Sequence, residues 1–489
     1  MVKKIYRFLL LVFVVGMLGC GNTEEDALGN GKQENVSEGH EQKEFVSIEL
    51  SDQCIFVDGK EISKNKKDAV YRANDIIFYL EGQGFTYGEG TDVDEHSQEE
   101  ADAHTVVHIT KPGTYEISGK MEAGQIFIDL GKDAEDDPEA VVNLVLNNVD
   151  ISCSVAPAIF FYQVYECGEK DEENASMDVD LTSAGANLLL ADGSTNVVNG
   201  SYVAKIYKSY ELNADETEVI DSKKLHKYDA AVYSKMSMNV FGETGILKIN
   251  AENEGLDTEL HLKIHGGEIQ IESGNDGINV NEENVSVFEM TGGVLDINVN
   301  GSTGEGDGID SNGWIIITDG IVTTASCATS MDAGIDADNG IYINGGTVVA
   351  SGNMNAEISA GTQKTISFSE KNRLEGNQTY QVKDAEGNVI MEVAPQNAFH
   401  RLVLSTDKIT EEKVYSLWMG EIMISETAYG MKDGHGFVKG MEPPKDFSKG
   451  MELPKDFPEE IEPPEGFHGG ERPERPDGAQ RPSDSRKQR

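Results

Sequence analysis

The sequence predicts an all-β chain folded as a right-handed parallel β-helix, a solenoid with a small C-terminal β module and disordered ends. Three observations predict it. An acidic phrase recurs as Glu254-Gly255-Leu256-Asp257, Asp276-Gly277-Ile278-Asn279, Asp307-Gly308-Ile309-Asp310 and Asp332-Ala333-Gly334-Ile335-Asp336. A glycine step travels with it at positions 266, 292, 319 and 345, roughly 26 residues apart, and a fixed period of this size marks stacked repeats. Apolar residues alternate before the step (Leu262/Ile264, Phe288/Met290, Ile315/Ile317, Ile341/Ile343) and after it (Ile269/Ile271, Leu295/Ile297, Val322/Thr324, Val348/Ala350). Alternation at period two is the pattern of a half-buried strand. Each unit is then a strand, a Gly-Gly-type bend, a second strand and an acidic turn carrying one more inward aliphatic. One unit cannot bury its own apolar face, but stacked units share a continuous core. A β-sandwich is the alternative geometry, although it does not require turn sequences at constant spacing.

The elements follow in chain order. Lys3, Lys4 and Arg7, then the apolar stretch Phe8 to Val15, then Gly19-Cys20 read as a secretion signal over 1–20. Met17-Leu18-Gly19-Cys20 resembles a bacterial lipobox, in which Cys20 becomes the lipidated N-terminus; plain secretion is the alternative. Residues 21–45 are polar and charged, the composition of a flexible spacer. Residues 46–360 are assigned to the parallel β-helix. Its N-terminal strands are less regular (Val106 to Ile109, Thr114 to Ile117, Gln125 to Ile128, Val142 to Leu146), and Tyr71 to Leu80 is open between a short helix and a strand. Asp229-Ala230-Ala231-Val232 is a degenerate turn one period upstream of the regular ones. Residues 361–430 form a C-terminal β cap or module, with Asp384 to Asn388 as a hairpin turn. In 431–489 a ten-residue phrase repeats, Lys439 to Phe447 and Lys449 to Phe457. So much proline and charge cannot form a packed core.

Composition narrows the chemistry. The chain of 489 residues carries 87 acidic and 40 basic residues, a net charge of −47. Such a surface repels nucleic acid and anionic membranes and attracts cations, so the expected membrane link is the lipid anchor alone. Between 251 and 360 there are 19 acidic residues and a single basic one, Lys263. No CxxC or His/Cys cluster exists, which argues against zinc; Cys153 and Cys167 could pair or remain free thiols. Stacking places equivalent turn positions one strand spacing apart. Asp276 and Asp307 should then be neighbours, as should Asp257, Asn279, Asp310 and Asp336. Stacked carboxylates repel unless a cation or a proton sits among them. Calcium accepts six to eight oxygens in flexible geometry, and Asn275, Asn281, Asn312, Asp338 and Asn339 add oxygens of the right type. Alternatively, each aspartate caps its own backbone as a turn residue.

The Asp-Gly-Ile turns, the paired-glycine strand pairs, Gly113 to Gly119 and Leu144 to Ile151 resemble the bacterial family of carbohydrate-binding domain-containing proteins. The resemblance spans roughly 46 to 425. It implies a right-handed parallel β-helix, similar to that of pectate lyases, with calcium in its acidic turns and adhesion to pectic or cellulosic plant-wall chains. The likeliest ligands it implies are Asp276, Asp307, Asp310, Asp332 and Asp336; the stacking adds Asp257 and Asp338 as candidate metal ligands. Glu254 stands where the first turn aspartate is expected, Asn279 replaces another position, and a longer loop, Gly301 to Gly306, intrudes.

The expected function is a calcium-dependent carbohydrate-binding lipoprotein on the bacterial cell surface, recognising plant-wall or acidic polysaccharide without cleaving it. The alternatives are a calcium-dependent polysaccharide lyase and a protein-binding surface adhesin. A lyase needs a base to take the proton α to a uronate carboxylate. Lys263, outward by parity with His261 beside it, is the one basic candidate. Binding needs flat aromatic surface, for which outward Trp314 and Tyr342 are the candidates; cover by a loop or by the C-terminal module is the bland reading.

Overall fold

The computed structural model describes residues 45–427 except 355, 357, 360 and 412. The expected signal segment with Cys20, the spacer up to residue 44 and the tail of 431–489 lie outside the described residues.

The regular repeats build a nine-stranded sheet. Its order is Ile335–Ala337, Ile309–Ser311, Ile278–Val280, Glu254–Thr258, Ala230–Ser234, Ile159–Gln163, Gly124–Asp129, Thr105–Ile109 and Val70–Ala73. All neighbours are parallel except the last pair. The pairing is in register, so one aliphatic from each strand falls in a single inward column: Val107, Ile126, Ile159, Val232, Leu256, Ile278, Ile309 and Ile335. Every member is 0% exposed, which is the shared core that no single repeat could bury.

The recurring turn glycine has a steric cause. A Cβ on Gly255 would stand 2.5 Å from the Gly277 carbonyl oxygen, one on Gly277 2.6 Å from that of Gly308, and one on Gly308 2.3 Å from that of Gly334. Each glycine leaves room for the backbone of the next repeat. The second glycine of the paired step is different: Gly293 has φ +87°, a left-handed conformation that only glycine adopts cheaply.

That step does not end a strand. Val287–Val299 runs through Gly292 and Gly293 as one element, with a register shift at the bend. Val142–Cys153 likewise runs through Asn148, at φ +60°. Each long strand pairs on both sides of its bend, and the parallel pairing therefore closes. From Val142–Cys153 it passes to Ala186–Leu190, Met238–Phe241, Leu262–Ile264 and Val287–Val299. It returns through Glu268–Ser273, Ile246–Ala251 and Thr195–Gly200 to Val142–Cys153. The expected right-handed parallel β-helix is corrected accordingly. The fold is all-β, with a closed eight-strand parallel barrel core plus extra strands. The physical reason is that Val142–Cys153 and Val287–Val299 each continue as one strand through the bend, with a register shift there, so the two strand sets predicted as separate share members.

Antiparallel strands close the two ends. Val70–Ala73 runs against Thr105–Ile109, and Phe399–Ser405 runs against both Thr347–Gly352 and Thr365–Leu374. Tyr380–Lys383, Val389–Val393, Tyr415–Met419 and Ile422–Thr427 make a four-stranded antiparallel sheet over a second core that includes Phe368, Tyr380, Phe399 and Leu417. Asp384 to Asn388 is its hairpin turn. Between Ala69 and Leu80 the open segment is the strand Val70–Ala73 followed by irregular chain, and the helix of this region lies later, at Gln98–Ala103.

Gly277→Ala should destabilise the protein by about 1–3 kcal/mol, because its Cβ meets backbone and the buried Ile297 side chain at 2.2 Å. Denaturant unfolding of this variant, set beside an alanine at Gly84, where a Cβ meets nothing within 4 Å and the backbone is not left-handed, checks the expectation.

Candidate metal centre

Along the nine-stranded sheet, the residue after each inward aliphatic points the other way. In register this second column reads His108, Phe127, Phe160, Tyr233, Asp257, Asn279, Asp310, Asp336. Its first half is an edge-to-face aromatic ladder, with centroid separations of 5.4, 5.1 and 5.1 Å. Its second half is acidic. The loop Gly301 to Gly306 leaves the register untouched, because Asn279 still pairs with Asp310 across it.

The acidic half gathers two clusters. In one, carboxylate oxygens of Asp307, Asp310 and Asp336 lie within 4.8 Å of one another, all half-buried. Asp276 adjoins them: its Oδ1 accepts the Asp307 N–H at 2.6 Å, and Asp307 Oδ1 accepts the Ala333 N–H. The turn aspartates therefore bond the backbone of the next repeat rather than their own. Burial, opposed by the Asp307 N–H but reinforced by Asp310 and Asp332, pushes Asp276 up to about 7. Burial and the Asp276 charge push Asp307 up to about 9. Burial together with Asp336 and Asp338 pushes Asp310 up to about 6.

In the other cluster, oxygens of Asp229, Glu254 and Asp257 lie within 4.8 Å of one another, all buried. Both oxygens of Asp257, Glu254 Oε2 and Asn279 Oδ1 are buried without a hydrogen-bond partner. Asn279 donates its amide to Glu254 Oε1 at 3.3 Å. Burial and the mutual repulsion of the three acids drive Glu254 and Asp257 well above the ordinary carboxylate range. Asp229 is raised by burial too, although Lys227 pairs with it at 2.7 Å and opposes the shift.

The predicted ligands are thus divided. Asp307, Asp310 and Asp336 meet, Asp276 joins them through backbone, and Asp257 belongs to the second group. Asp338 is exposed beside Asp310. Asp332 Oδ2 accepts the Gly306 N–H at 2.6 Å and the Ser330 hydroxyl, which pins the intruding loop. Sequence reasoning missed Asp229 and Glu254 as partners of Asp257. The signal was there, since Glu254 occupies the same repeat position as Asp276 and Asp307. The donor set is all oxygen, and unpaired buried oxygens are what a hard divalent cation satisfies; calcium fits these residues.

Of the other candidates, Lys263 lies on the eight-strand core, in Leu262–Ile264, while Trp314 and Tyr342 lie on the further strands Trp314–Ala325 and Gly340–Ile343. Lys263 pairs in register with Glu289, and their side chains form an ion pair at 2.6 Å. His261 is not its exposed neighbour. It is buried, accepting the Val287 N–H at Nδ1 and facing the Glu169 carbonyl through Nε2 at 3.2 Å. Burial lowers its pKa to about 4. Trp314 and Tyr342 are half-buried on adjacent strands, offset by two residues in register. Cys54, Cys153, Cys167 and Cys327 are all free thiols.

A family model described as carbohydrate-binding domain-containing protein matches residues 103–400, more than half of the 489 residues. A protein of that description from Acetivibrio thermocellus is 31% identical over 168 residues, which are 34% of this chain and 45% of the relative. The match therefore spans less than half the length of that relative. A solved polysaccharide lyase-like protein from C. thermocellum, a gadolinium derivative, aligns over 65% of this chain and 92% of its own, with 19% identity and a TM-score of 0.34.

Acids whose folded pKa lies above the unfolded one take up protons on folding. Their contribution to stability is complete near the unfolded value and is lost as pH rises through the folded one. For the metal-free protein the window runs from about 4 up through about 6, 7 and 9, the values of Asp310, Asp276 and Asp307. In chelator, the Tm should fall between about pH 5 and pH 9, and Asp307→Asn should remove the upper part of that fall. A Tm that climbs with pH over this range would contradict the cluster's electrostatics.

Proposed function

Because the chain belongs to the carbohydrate-binding domain-containing protein family, we propose that it binds polysaccharide on the outer face of a cell membrane without cleaving it, and that calcium holds its acidic repeats together. The observation that carries the calcium reading is the convergence of Asp307, Asp310 and Asp336, with Asp276 beside them. Those residues would hold a cation, with exposed Asp338 available at the rim. Asp229, Glu254, Asp257 and Asn279 are the candidates for a second, fully enclosed ion. When bound, calcium supplies positive charge that lets these carboxylates stay ionised at neutral pH. The residues themselves do the positioning, because register fixes their spacing and backbone N–H groups orient Asp276 and Asp307.

Family membership supports recognition of a glycan. Half-buried Trp314 and Tyr342 offer aromatic edges, and an ion at the half-buried cluster could meet the carboxylate of an acidic chain. The ion pair between Lys263 and Glu289 weighs against the lyase alternative, since a lysine held in this way is a poor base. Among the described residues no helix is long and apolar enough to cross a membrane. The reading of membrane tethering rests on the Met17-Leu18-Gly19-Cys20 motif.

Pull-down on insoluble plant-wall polysaccharide, with and without chelator, tests the reading. Retention is expected in calcium and should weaken in chelator. Failure to bind any polysaccharide in calcium would overturn it in favour of a protein-binding surface role. Asp310→Asn should weaken calcium binding at least tenfold by titration calorimetry, because it removes a charged ligand. An absorbance assay on polygalacturonate should show no unsaturated product, and Lys263→Ala should leave polysaccharide retention unchanged.

A further inference from the structure

A second face of the eight-strand core carries a feature that neither the acidic turns nor the aromatic candidates account for. Ser152, Asn199, Asn250, Glu272 and Asn298 pair in register across five successive parallel strands. The first three are joined side chain to side chain: Asn199 donates to Ser152 Oγ at 2.9 Å, and Asn250 donates to Asn199 Oδ1 at 2.7 Å. Farther along, Asn298 donates to Glu272 Oε2 at 2.8 Å. Ser152, Asn199, Asn250 and Glu272 line an open cleft of about 390 Å³, together with Glu252 and Asn300.

Three properties of the row point to one kind of ligand. Its amides are fixed in direction by their neighbours, so little side-chain entropy remains to be lost on binding. Each bonded amide still has unused capacity, because it offers two N–H donors and two acceptor lone pairs. The Asn250 carbonyl oxygen accepts no bond among the described residues, and Asn250 and Glu272 are both exposed. The groups repeat at one strand spacing, about 4.8 Å, in a straight line, which suits an extended polymer presenting hydroxyls at regular intervals. The lining contains no lysine or arginine, while Glu252 and Glu272 place negative charge in it. A uronate chain would be repelled there, and an uncharged chain would not.

We propose that this cleft binds an extended, uncharged polysaccharide chain through the Ser152–Asn199–Asn250–Glu272 row. The proposal rests on the polysaccharide-binding reading and gives that reading a second site, independent of calcium coordination. The hydroxyls of successive sugars take up the free amide and carboxylate capacity of successive strands, and the acidic rim excludes acidic chains.

The test is affinity electrophoresis of the full chain through gels containing either a soluble uncharged β-glucan or polygalacturonate. The β-glucan should retard the wild type. Asn199→Ala/Asn250→Ala should lose at least tenfold in affinity for it. Asn250→Arg, which projects bulk into the cleft from an exposed position, should do the same while its Tm stays at the wild-type value, so a folding defect cannot imitate the result. If the wild type is retarded by the β-glucan and both variants are retarded equally, the cleft is overturned while the polysaccharide-binding reading stands. If retardation occurs only with polygalacturonate and vanishes in chelator, the cleft is overturned in favour of the acidic clusters. If neither polymer retards the wild type, both readings fall.

Discussion

Parallel pairing without a register slip puts chemically equivalent side chains directly over one another, and it leaves them no freedom to move apart. Where the position is aliphatic the result is a dry column such as Leu256, Ile278, Ile309 and Ile335. Where it is glycine, backbones approach so closely that any other residue would collide with a carbonyl oxygen. Where it is aspartate, like charges are held within 4.8 Å. At an effective dielectric near 20 each such pair costs on the order of 3 kcal/mol, a sizeable share of the stability of a typical domain. A proton or a cation must offset that cost.

One column shows two answers to the same geometry. From His108 to Tyr233 it is filled by rings whose edges meet neighbouring faces, an arrangement that is favourable as it stands. From Asp257 to Asp336 the same positions carry carboxylates and an amide, an arrangement that is unfavourable unless something joins them. The backbone is continuous through the change. The difference in behaviour therefore lies in side-chain chemistry, and the raised carboxylates of the acidic half make stability depend on pH.

Much of this was legible in the sequence, and the failures have definite causes. Period-two alternation located the strands, and the recurrence of the acidic phrase gave the register of Asp257, Asn279, Asp310 and Asp336. Closure of the core was not legible, because a left-handed residue such as Gly293 signals a bend equally well whether or not the hydrogen bonding continues through it. The buried acid group was hidden by a substitution: Glu254 looked like a departure from the aspartate pattern, yet its longer side chain reaches the same cluster. His261 was misplaced because parity was extended through a turn, where side chains no longer alternate. The asparagine row escaped notice since Asn199 belongs to a repeat without the acidic phrase, and the hairpin of Val203–Leu212 with Val219–Tyr228 separates it from Asn250 in sequence.

The reversed strands at the two ends have a consequence for how the molecule behaves in a crowd. A pile of like-directed strands has no built-in stopping point, and an uncovered terminal edge would accept the matching edge of a second molecule and begin a filament. Val70–Ala73 presents the wrong direction for that continuation, and Phe399–Ser405 interposes a reversed strand between Thr347–Gly352 and Thr365–Leu374. The height of the pile is thereby written into the length of one chain instead of being left to concentration.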